Sequence, residues 1–519
     1  MQSKTLVHIP DDEGIHVKSA GKKGEKYVYK YVKYFRNAEG QPRNQAKAIG
    51  KYDPESGKMF PNTNYFELYQ IDPDMPDVEV ASYGYSYIVL KACRDMGLYN
   101  CLVSAFGEQR AMDVIVMAAY IIREGGAMDG IDDWIPNNHF QNYNRLLTSQ
   151  STSRIFASLV VGQLNDFFTD WVKVAMGIGT VCYDVTSISS YAQQMTSVER
   201  GYNRDGEDLA QFNLGMFCDE KSKTPLYYNR YNGSLTDKTN LSFVLANAKE
   251  IGIHHVKMVV DGGFWDNKCH KNLCDLYDSY IMGMPPSLQE SQNILENYSG
   301  NITTYANELD VPFTYCVPVE TTVCGIPGKA LLYFDEHNHV HLCNELSDKI
   351  DRYKAELAAL VRYPKSKLKR FEQYFIITKR ENSGFDYAVD VEKVDKARKY
   401  KGFFLLFTTD MEATPEDTLY HYRAKDAAEK IFDQIKCDMD GNRIRTYNEQ
   451  TTDGKVFVTF IGCIIRSYLL NKLSQYMRDN STTLKKVFNQ LMNIQIISNS
   501  NGFRFTQALT KKKRKSVIM

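Results

Sequence analysis

The chain has 519 residues, with 63 basic and 63 acidic side chains, so its formal net charge is zero. Hydrophobic residues make up 43% and charged residues 24% of the sequence, as in soluble globular proteins. This length exceeds one ordinary hydrophobic core and predicts two to four domains. The balanced charge excludes a uniformly basic nucleic-acid-binding chain, so only local clusters of cations can indicate such a partner.

The cysteines and the apolar runs predict a cytoplasmic protein. Eleven cysteines are scattered through the chain, and no two have the spacing of a zinc knuckle, so we expect reduced thiols. No apolar signal segment follows Met1, and no run of eighteen apolar residues occurs, so we expect no membrane span. The most apolar stretch, residues 456–470, contains Arg466 and is typical of a buried helix.

Residues 1–80 predict a small, β-rich and basic domain. The run 27–36 alternates tyrosines with cations, a turn follows at 37–42, and a second run covers 44–52. Cations beside aromatic rings suit nucleic acid, although lysines also protect exposed sheet edges from aggregation. If the hairpin binds DNA, its candidate residues are Lys30, Lys33, Arg36 and Lys47.

The remaining pattern predicts an α/β protein in five further parts. Residues 81–175 predict a helical domain, with helices at 83–96, 111–123 and 153–174. Residues 176–285 predict the first part of a core with three antiparallel strands, a helix and another strand, at 180–188, 211–217, 225–231, 237–250 and 254–261.

The last three parts are a β-rich insertion at 286–400, the second part of the core at 401–480, and a C-terminal helix with a basic tail at 481–519. The insertion contains a predicted hairpin at 331–342. The core resumes with a buried strand at 402–410, a long helix at 415–436 and an apolar helix at 455–476; the helix 484–496 and the tail 511–515 end the chain.

Three acids occur at positions that suit a shared site. Asp184 lies within an apolar strand, and Asp261 follows another strand, where ligands of α/β sheets gather. Glu429 lies on the predicted helix 415–436, seven residues from both Tyr422 and Lys436, so all three fall on one face. Each feature alone also fits a solvated surface.

Three converging carboxylates bind hard divalent cations such as Mg²⁺. Two such ions about 4 Å apart activate an attacking oxygen and stabilise a leaving oxygen in phosphoryl transfer. Tyrosine and lysine side chains beside the acids, here Tyr422, Lys425 and Lys436, hold phosphate groups of an entering nucleic acid.

The spacing of Tyr422, Lys425, Glu429 and Lys436 resembles the Tyr-Arg-Glu-Lys signature of bacterial insertion-sequence transposases with an Asp-Asp-Glu triad. The segments 183–187 and 259–264 resemble the two aspartate strands of that family, and the start of the chain resembles one of its subgroups. The chain departs from the signature at Lys425, where the family has arginine, so bidentate phosphate recognition is lost there.

The resemblance implies an RNase H-like mixed-sheet core, split by the insertion, that cleaves and joins insertion-sequence ends. It implies that Asp184, Asp261 and Glu429 are catalytic and hold Mg²⁺, for which Mn²⁺ substitutes. The implied partners are double-stranded DNA, namely transposon terminal inverted repeats and target DNA, on which the enzyme acts as a homodimer.

Two other functions stay open at this point. A transposase-derived DNA-binding protein without activity would be marked by loss of one acid, and none is lost. A glycoside hydrolase with paired carboxylates would not explain a lysine-flanked glutamate or the basic hairpin. The alternating histidines 337, 339 and 341 predict a structural hairpin rather than a metal site, and Trp265 predicts packing beneath the strand that ends at Asp261.

Overall fold

The computed structural model describes most of the chain, which divides into two compact units. The first unit comprises residues 1–81 and 495–508, and the second comprises 82–494 and 509–519. The predicted basic tail 511–515 lies outside the described residues, which are 6–20, 25–69, 79–177, 179–192, 194–360, 368–380, 384–498 and 504–506.

The first unit contains the predicted hairpin. A four-stranded antiparallel sheet consists of β1 (Ile15–Ser19), β2 (Lys26–Arg36), β3 (Pro42–Tyr52) and β4 (Met59–Pro61), followed by α1 (Thr63–Tyr69). Its small core contains Val28, Ile49, Met59 and Tyr65. A second sheet contains β5 (Glu79–Ser82), β16 (Gln495–Ser498) and β17 (Arg504–Thr506). The hairpin predicted between 27 and 52 is confirmed as β2 and β3.

The second unit begins with helices. They are α2 (Gly84–Asp95), α3 (Leu98–Phe106), α4 (Glu108–Glu124), α5 (Ile131–Trp134), α6 (Ser149–Ser158) and α7 (Val161–Ala175). Every residue of α4 from Ala111 to Ile122 is buried, because the helix packs against neighbours on all sides. The predicted single helix 153–174 is two helices, separated at Leu159 and Val160.

The second unit is a mixed α/β structure around one large mixed sheet. Its strands and helices are β6 (Thr180–Ser189), β7 (Gln211–Asp219), β8 (Pro225–Asn232), α8 (Asp237–Glu250), β9 (Lys257–Val260), α9 (Asn267–Leu276), β10 (Ser279–Met284), α10 (Gln289–Tyr298), β11 (Thr314–Val323) and β12 (Ile326–Asp335). With β15 (Phe403–Thr408), the strand order is β11-β12-β15-β10-β9-β6-β7-β8. The predicted three antiparallel strands, helix and strand are confirmed as β6 to β9.

The segment 286–400 contains helices as well as strands, so it is not mainly β-structure, and its description as an insertion stays a prediction. The hairpin β11–β12 belongs to the main sheet, because β12 pairs with β15. The residues between β12 and β15 form α11 (Glu336–Ala359), β13 (Phe375–Lys379), β14 (Phe385–Val389) and α12 (Val391–Lys399). The hairpin predicted at 331–342 is wrong: β12 ends at Asp335, whose carboxylate accepts the Asn338 N–H and caps α11. Histidines 337, 339 and 341 therefore lie on a helix, not on one strand face.

The predicted helix 415–436 is interrupted. The chain forms α13 (Pro415–Arg423), α14 (Asp426–Asp433) and a π-helical segment, Gln434–Asp438. At the break, the N–H groups of Ala424 and Lys425 bond the carbonyls of Tyr420 and Tyr422. Tyr422 thus precedes the break and Glu429 follows it, so their spacing of seven does not place them on one continuous helix face.

The unit ends with α15 (Glu449–Asp479) and α16 (Leu484–Met492). By length and composition α15 is long and apolar enough to cross a membrane, but 72% of its apolar window is buried in the protein. Core helices of globular proteins pass the same test, so the observation is weak support for a span. Arg466, within the predicted stretch 456–470, is buried and bonds Asp438.

Buried His270 gives a prediction for acid stability. Its Nδ1 lies 2.6 Å from the Tyr280 hydroxyl, and burial lowers its pKa to about 4. Between pH 6.5 and 4 this histidine is protonated in the unfolded chain and neutral in the native chain. The free energy of unfolding therefore decreases by about 3 kcal/mol as the pH is lowered from 6.5 to 4. The variant His270→Gln should lose less free energy of unfolding across this window in urea titrations; an unchanged pH slope would contradict this.

Candidate active site

The register of two neighbouring strands brings Asp184 and Asp261 together. Strands β6 and β9 are parallel, and Tyr183 is paired with Val260. Asp184 is the next residue of β6 and Asp261 directly follows β9, so the two acids are neighbours at this edge of the sheet, near enough for their charges to interact. This adjacency depends on the crossover through α8, which the strand patterns alone do not specify.

The face of the sheet below both aspartates is covered by α13. Cys182 and Val259, two residues before the aspartates, belong to a buried cluster that also contains Leu419. Tyr422 and Ala424 pack against the same cluster. The apolar contacts therefore fix the helix over the sheet and hold its end, with the break that follows, beside the two acids.

Lys425 lies at the centre of the acidic side chains. Its Nζ is 2.9 Å from Asp261 Oδ1 and 3.4 Å from Glu429 Oε1. The Tyr422 hydroxyl donates to the same Asp261 oxygen at 3.3 Å. Tyr422 at the end of α13 and Lys425 at the break both reach Asp261, and Glu429 of α14 is joined to it through Lys425.

The pKa values reflect this crowding. Burial raises the pKa of Asp184 to about 6, and the nearby charges of Asp261 and Glu429 act in the same direction against the attraction of Lys425. Burial also acts to raise the pKa of Asp261, but Lys425 outweighs it and the pKa lies below its ordinary value. Burial raises the pKa of Tyr422 to about 12, so its hydroxyl stays a donor at neutral pH.

The three carboxylates are of the ligand type that a hard divalent cation prefers, but they do not surround a common point. Asp184, Asp261 and Glu429 supply carboxylate oxygens, which Mg²⁺ prefers, and they are near enough for their charges to interact. Among the residues that the structure describes, no three histidine, cysteine or acidic side chains are arranged to hold a metal ion. The ammonium of Lys425 is the cation between Asp261 and Glu429 instead.

Lys436, predicted to bind phosphate, contacts an acid. It lies on the π-helical segment, its side chain is 14% exposed, and its Nζ is 2.6 Å from Asp205 Oδ1. An approaching phosphate would have to displace Asp205 before it could bind Lys436 directly. The sequence does not indicate this contact, because Asp205 lies in an irregular segment 231 positions away.

The predicted cations of the β2–β3 hairpin differ in their surroundings. Lys30 is held by Asp12 at 2.6 Å and by the Tyr69 hydroxyl at 3.0 Å, which indicates a structural role. Lys33, Arg36 and Lys47 are exposed. The outer part of the hairpin, residues 33–36 and 42–47, is exposed on both strands.

Arg43 is a further exposed cation in this outer part. The sequence interpretation missed it, because the second strand was predicted from residue 44 and begins at Pro42. Arg43 is the cross-strand partner of Phe35. The outer hairpin therefore presents four cations: Lys33, Arg36, Arg43 and Lys47.

Trp265 is 8% exposed and its ring centroid is 4.4 Å from that of His270. The predicted packing role is confirmed.

No family model matches the sequence, and no curated protein matches it. A solved structure to which the chain is similar is that of the piggyBac transposase synaptic complex with hairpin DNA, determined by cryo-electron microscopy. The similarity covers 74% of this chain and 70% of that chain, with a TM-score of 0.38 and 10% sequence identity. A similarity of this degree assigns the chain to no family, and the function inferred for it rests on the residues of the site.

Proposed function

We propose that the chain is a metal-dependent DNA transposase with an RNase H-like core, related to bacterial insertion-sequence enzymes with an Asp-Asp-Glu triad. The observation that carries the proposal is the meeting of Asp184 and Asp261 on adjacent parallel strands, with Tyr422, Lys425 and Glu429 around Asp261. These five residues come from three segments of the chain: β6, the residue after β9, and the stretch 422–429. Their meeting was not required by the fold of any one segment.

The residues divide into those that hold a cation and those that orient phosphate. Asp184, Asp261 and Glu429 would hold Mg²⁺ or Mn²⁺, which supplies activation of the attacking oxygen and stabilisation of the leaving oxygen. The Lys425 ammonium pairs with Asp261 in the free protein and, in the proposal, contacts a phosphate oxygen when DNA enters. The Tyr422 hydroxyl donates to Asp261 and keeps that carboxylate oriented.

The outer β2–β3 hairpin supplies a second DNA contact in the proposal. A two-stranded ribbon fits the DNA major groove, and this one carries four exposed cations beside Tyr34, which is 70% exposed. Contacts of this kind to phosphates hold DNA without reading its sequence. The proposed DNA is a transposon terminal inverted repeat or a target duplex, bound by a homodimer in the bacterial cytoplasm.

Substitution of Lys33, Arg36, Arg43 or Lys47 by alanine should weaken binding to every DNA sequence. Each lost phosphate contact should lower the slope of log K against log salt by about 0.9. Fluorescence anisotropy with two unrelated duplexes at several salt concentrations measures this. Lys18→Ala, an exposed lysine on β1, is the control; equal slopes for it and the hairpin variants would give the hairpin a structural role.

Cleavage of native flanking DNA tests the proposed activity directly. The full chain is incubated with DNA that carries the sequences on either side of its own gene, with Mg²⁺, with Mn²⁺ and with EDTA. The proposal expects discrete cuts at the element ends only when a divalent cation is present. DNA binding without cleavage under all three conditions would favour the alternative of a catalytically silent, transposase-derived DNA-binding protein.

A further inference from the structure

A pocket with both polar and apolar walls lies away from the acidic site, between the start of α15 and the helix α6. Its volume is about 400 Å³, and its walls include Ser153 of α6 together with Arg445, Asn448, Thr451 and Lys455. Asn448, Thr451 and Lys455 are spaced by three and four residues, so they share one face of α15 and its N-cap. The proposed transposase chemistry uses none of these residues.

Lys455 is the unusual residue of this pocket. Its side chain is only 6% exposed, although it lines the pocket. Its ammonium makes no hydrogen bond and no ion pair with any residue that the structure describes; the side chain of Arg466, which is similarly buried, does bond a carboxylate. The ammonium lines the pocket and has no anionic partner among the described residues, so an anion bound in the pocket would supply its counter-charge.

The neighbouring charges do not supply that anion. The charge of Asp440 acts on Lys455, but the Asp440 carboxylate is bound by Arg445 at 3.1 Å. Asp129 also lines the pocket and is exposed to solvent. Burial, followed by the charge of Arg445, lowers the pKa of Lys455 to about 8, so the ammonium is still mostly protonated at neutral pH.

We propose that this pocket binds a phosphate-type oxyanion, with the Lys455 ammonium as its principal ligand and Arg445 and the Asn448 amide as flanking donors. The Asn448 Oδ1 accepts the Thr451 N–H at 2.9 Å, which directs the amide NH₂ away from that bond. The positive end of α15, a helix of 31 residues, adds to the attraction for an anion. Phosphate is favoured over a carboxylate because the walls carry donors on Arg445, Asn448 and Lys455 and a phosphate has more oxygens to accept from them.

Calorimetric titration of the full chain with inorganic phosphate tests the pocket. Lys455→Met removes the ammonium and keeps most of the side-chain volume. Lys472→Met is the matched control, because it removes the same charge from an exposed position on the same helix. We expect wild type and Lys472→Met to bind phosphate equally and Lys455→Met to bind it at least about tenfold more weakly.

Thermal unfolding separates lost binding from lost folding. Without phosphate, Lys455→Met should unfold at the same temperature as wild type or higher, because a buried charge has been removed. Phosphate should raise the unfolding temperature of wild type and Lys472→Met, and it should leave that of Lys455→Met unchanged. Equal phosphate-induced shifts in all three proteins would overturn the proposal.

The source of the phosphate is decided with duplex DNA at several salt concentrations. If the pocket takes a backbone phosphate, Lys455→Met lowers the slope of log K against log salt by about one, and Lys472→Met does not. If only inorganic phosphate binding depends on Lys455, the ligand is a free phosphate compound. The proposal is wrong if phosphate binding does not depend on Lys455, whatever the result with DNA, and neither arm requires cleavage activity.

Discussion

Replacing Glu429 by glutamine should reduce DNA strand cleavage by orders of magnitude while DNA binding survives. The amide has the shape of the carboxylate but lacks the negative charge that holds a divalent cation. Glu429 is 54% exposed and its ion-pair partner is Lys425, which keeps its contact with Asp261. The fold should therefore be unaffected, with a change in unfolding free energy within about 0.5 kcal/mol.

A cleavage assay beside a gel-shift assay measures both effects of Glu429→Gln. Glu412→Gln is the control, because it makes the same chemical change at an exposed residue before α13. We expect this control to cut DNA at the wild-type rate. If Glu429→Gln also cuts at that rate, Glu429 is not the third acid and the proposed mechanism is wrong.

The sequence indicates the two strand aspartates as candidate site residues, but it does not show that they are neighbours. Asp184 interrupts an apolar alternation and Asp261 ends another apolar run, so their positions in the chain mark both as candidates. Their adjacency comes from the parallel register of β6 and β9. That register depends on how α8 packs against the sheet, which is a tertiary property.

The helix break beside the site carries no local signal. Neither glycine nor proline occurs within 416–436, which includes the break at Ala424 and Lys425. The apolar pattern continues beyond the break with Ala428 and Ile431 on α14. The prediction of one helix was therefore reasonable and wrong, because packing overrides propensity here. The break is also what gives Lys425 its contact with Asp261, so the missed feature contributes directly to the site.

The hairpin wrongly predicted at 331–342 has a different cause. The run before Asp335 is rich in β-formers, and the alternating histidines after it extend the same pattern. A helix start was nevertheless readable, since Asp335 is a capping residue and Leu346, Ile350 and Leu357 recur at helical spacing. The N-capping aspartate, rather than the alternating histidines, marks the start of the helix at Glu336.

Replacing Lys425 by methionine should destabilise the metal-free protein and increase its response to divalent cations. The Lys425 side chain is 14% exposed and lies between Asp261 and Glu429. Without it, those acids and Asp184 repel one another. We expect unfolding free energy to fall by about 2 kcal/mol, less than for a fully buried pair because Asp261 is 42% exposed.

Thermal unfolding of wild type and Lys425→Met, in EDTA and with Mn²⁺, measures this change. The ion should raise the unfolding temperature of Lys425→Met more than that of wild type, because the ammonium no longer competes for the carboxylates. Lys430→Met is the matched control, since it removes the same charge from an exposed position on α14, and it should behave like wild type. If Mn²⁺ shifts all three proteins equally, Lys425 does not compete with a cation, and these acids do not form the proposed metal site.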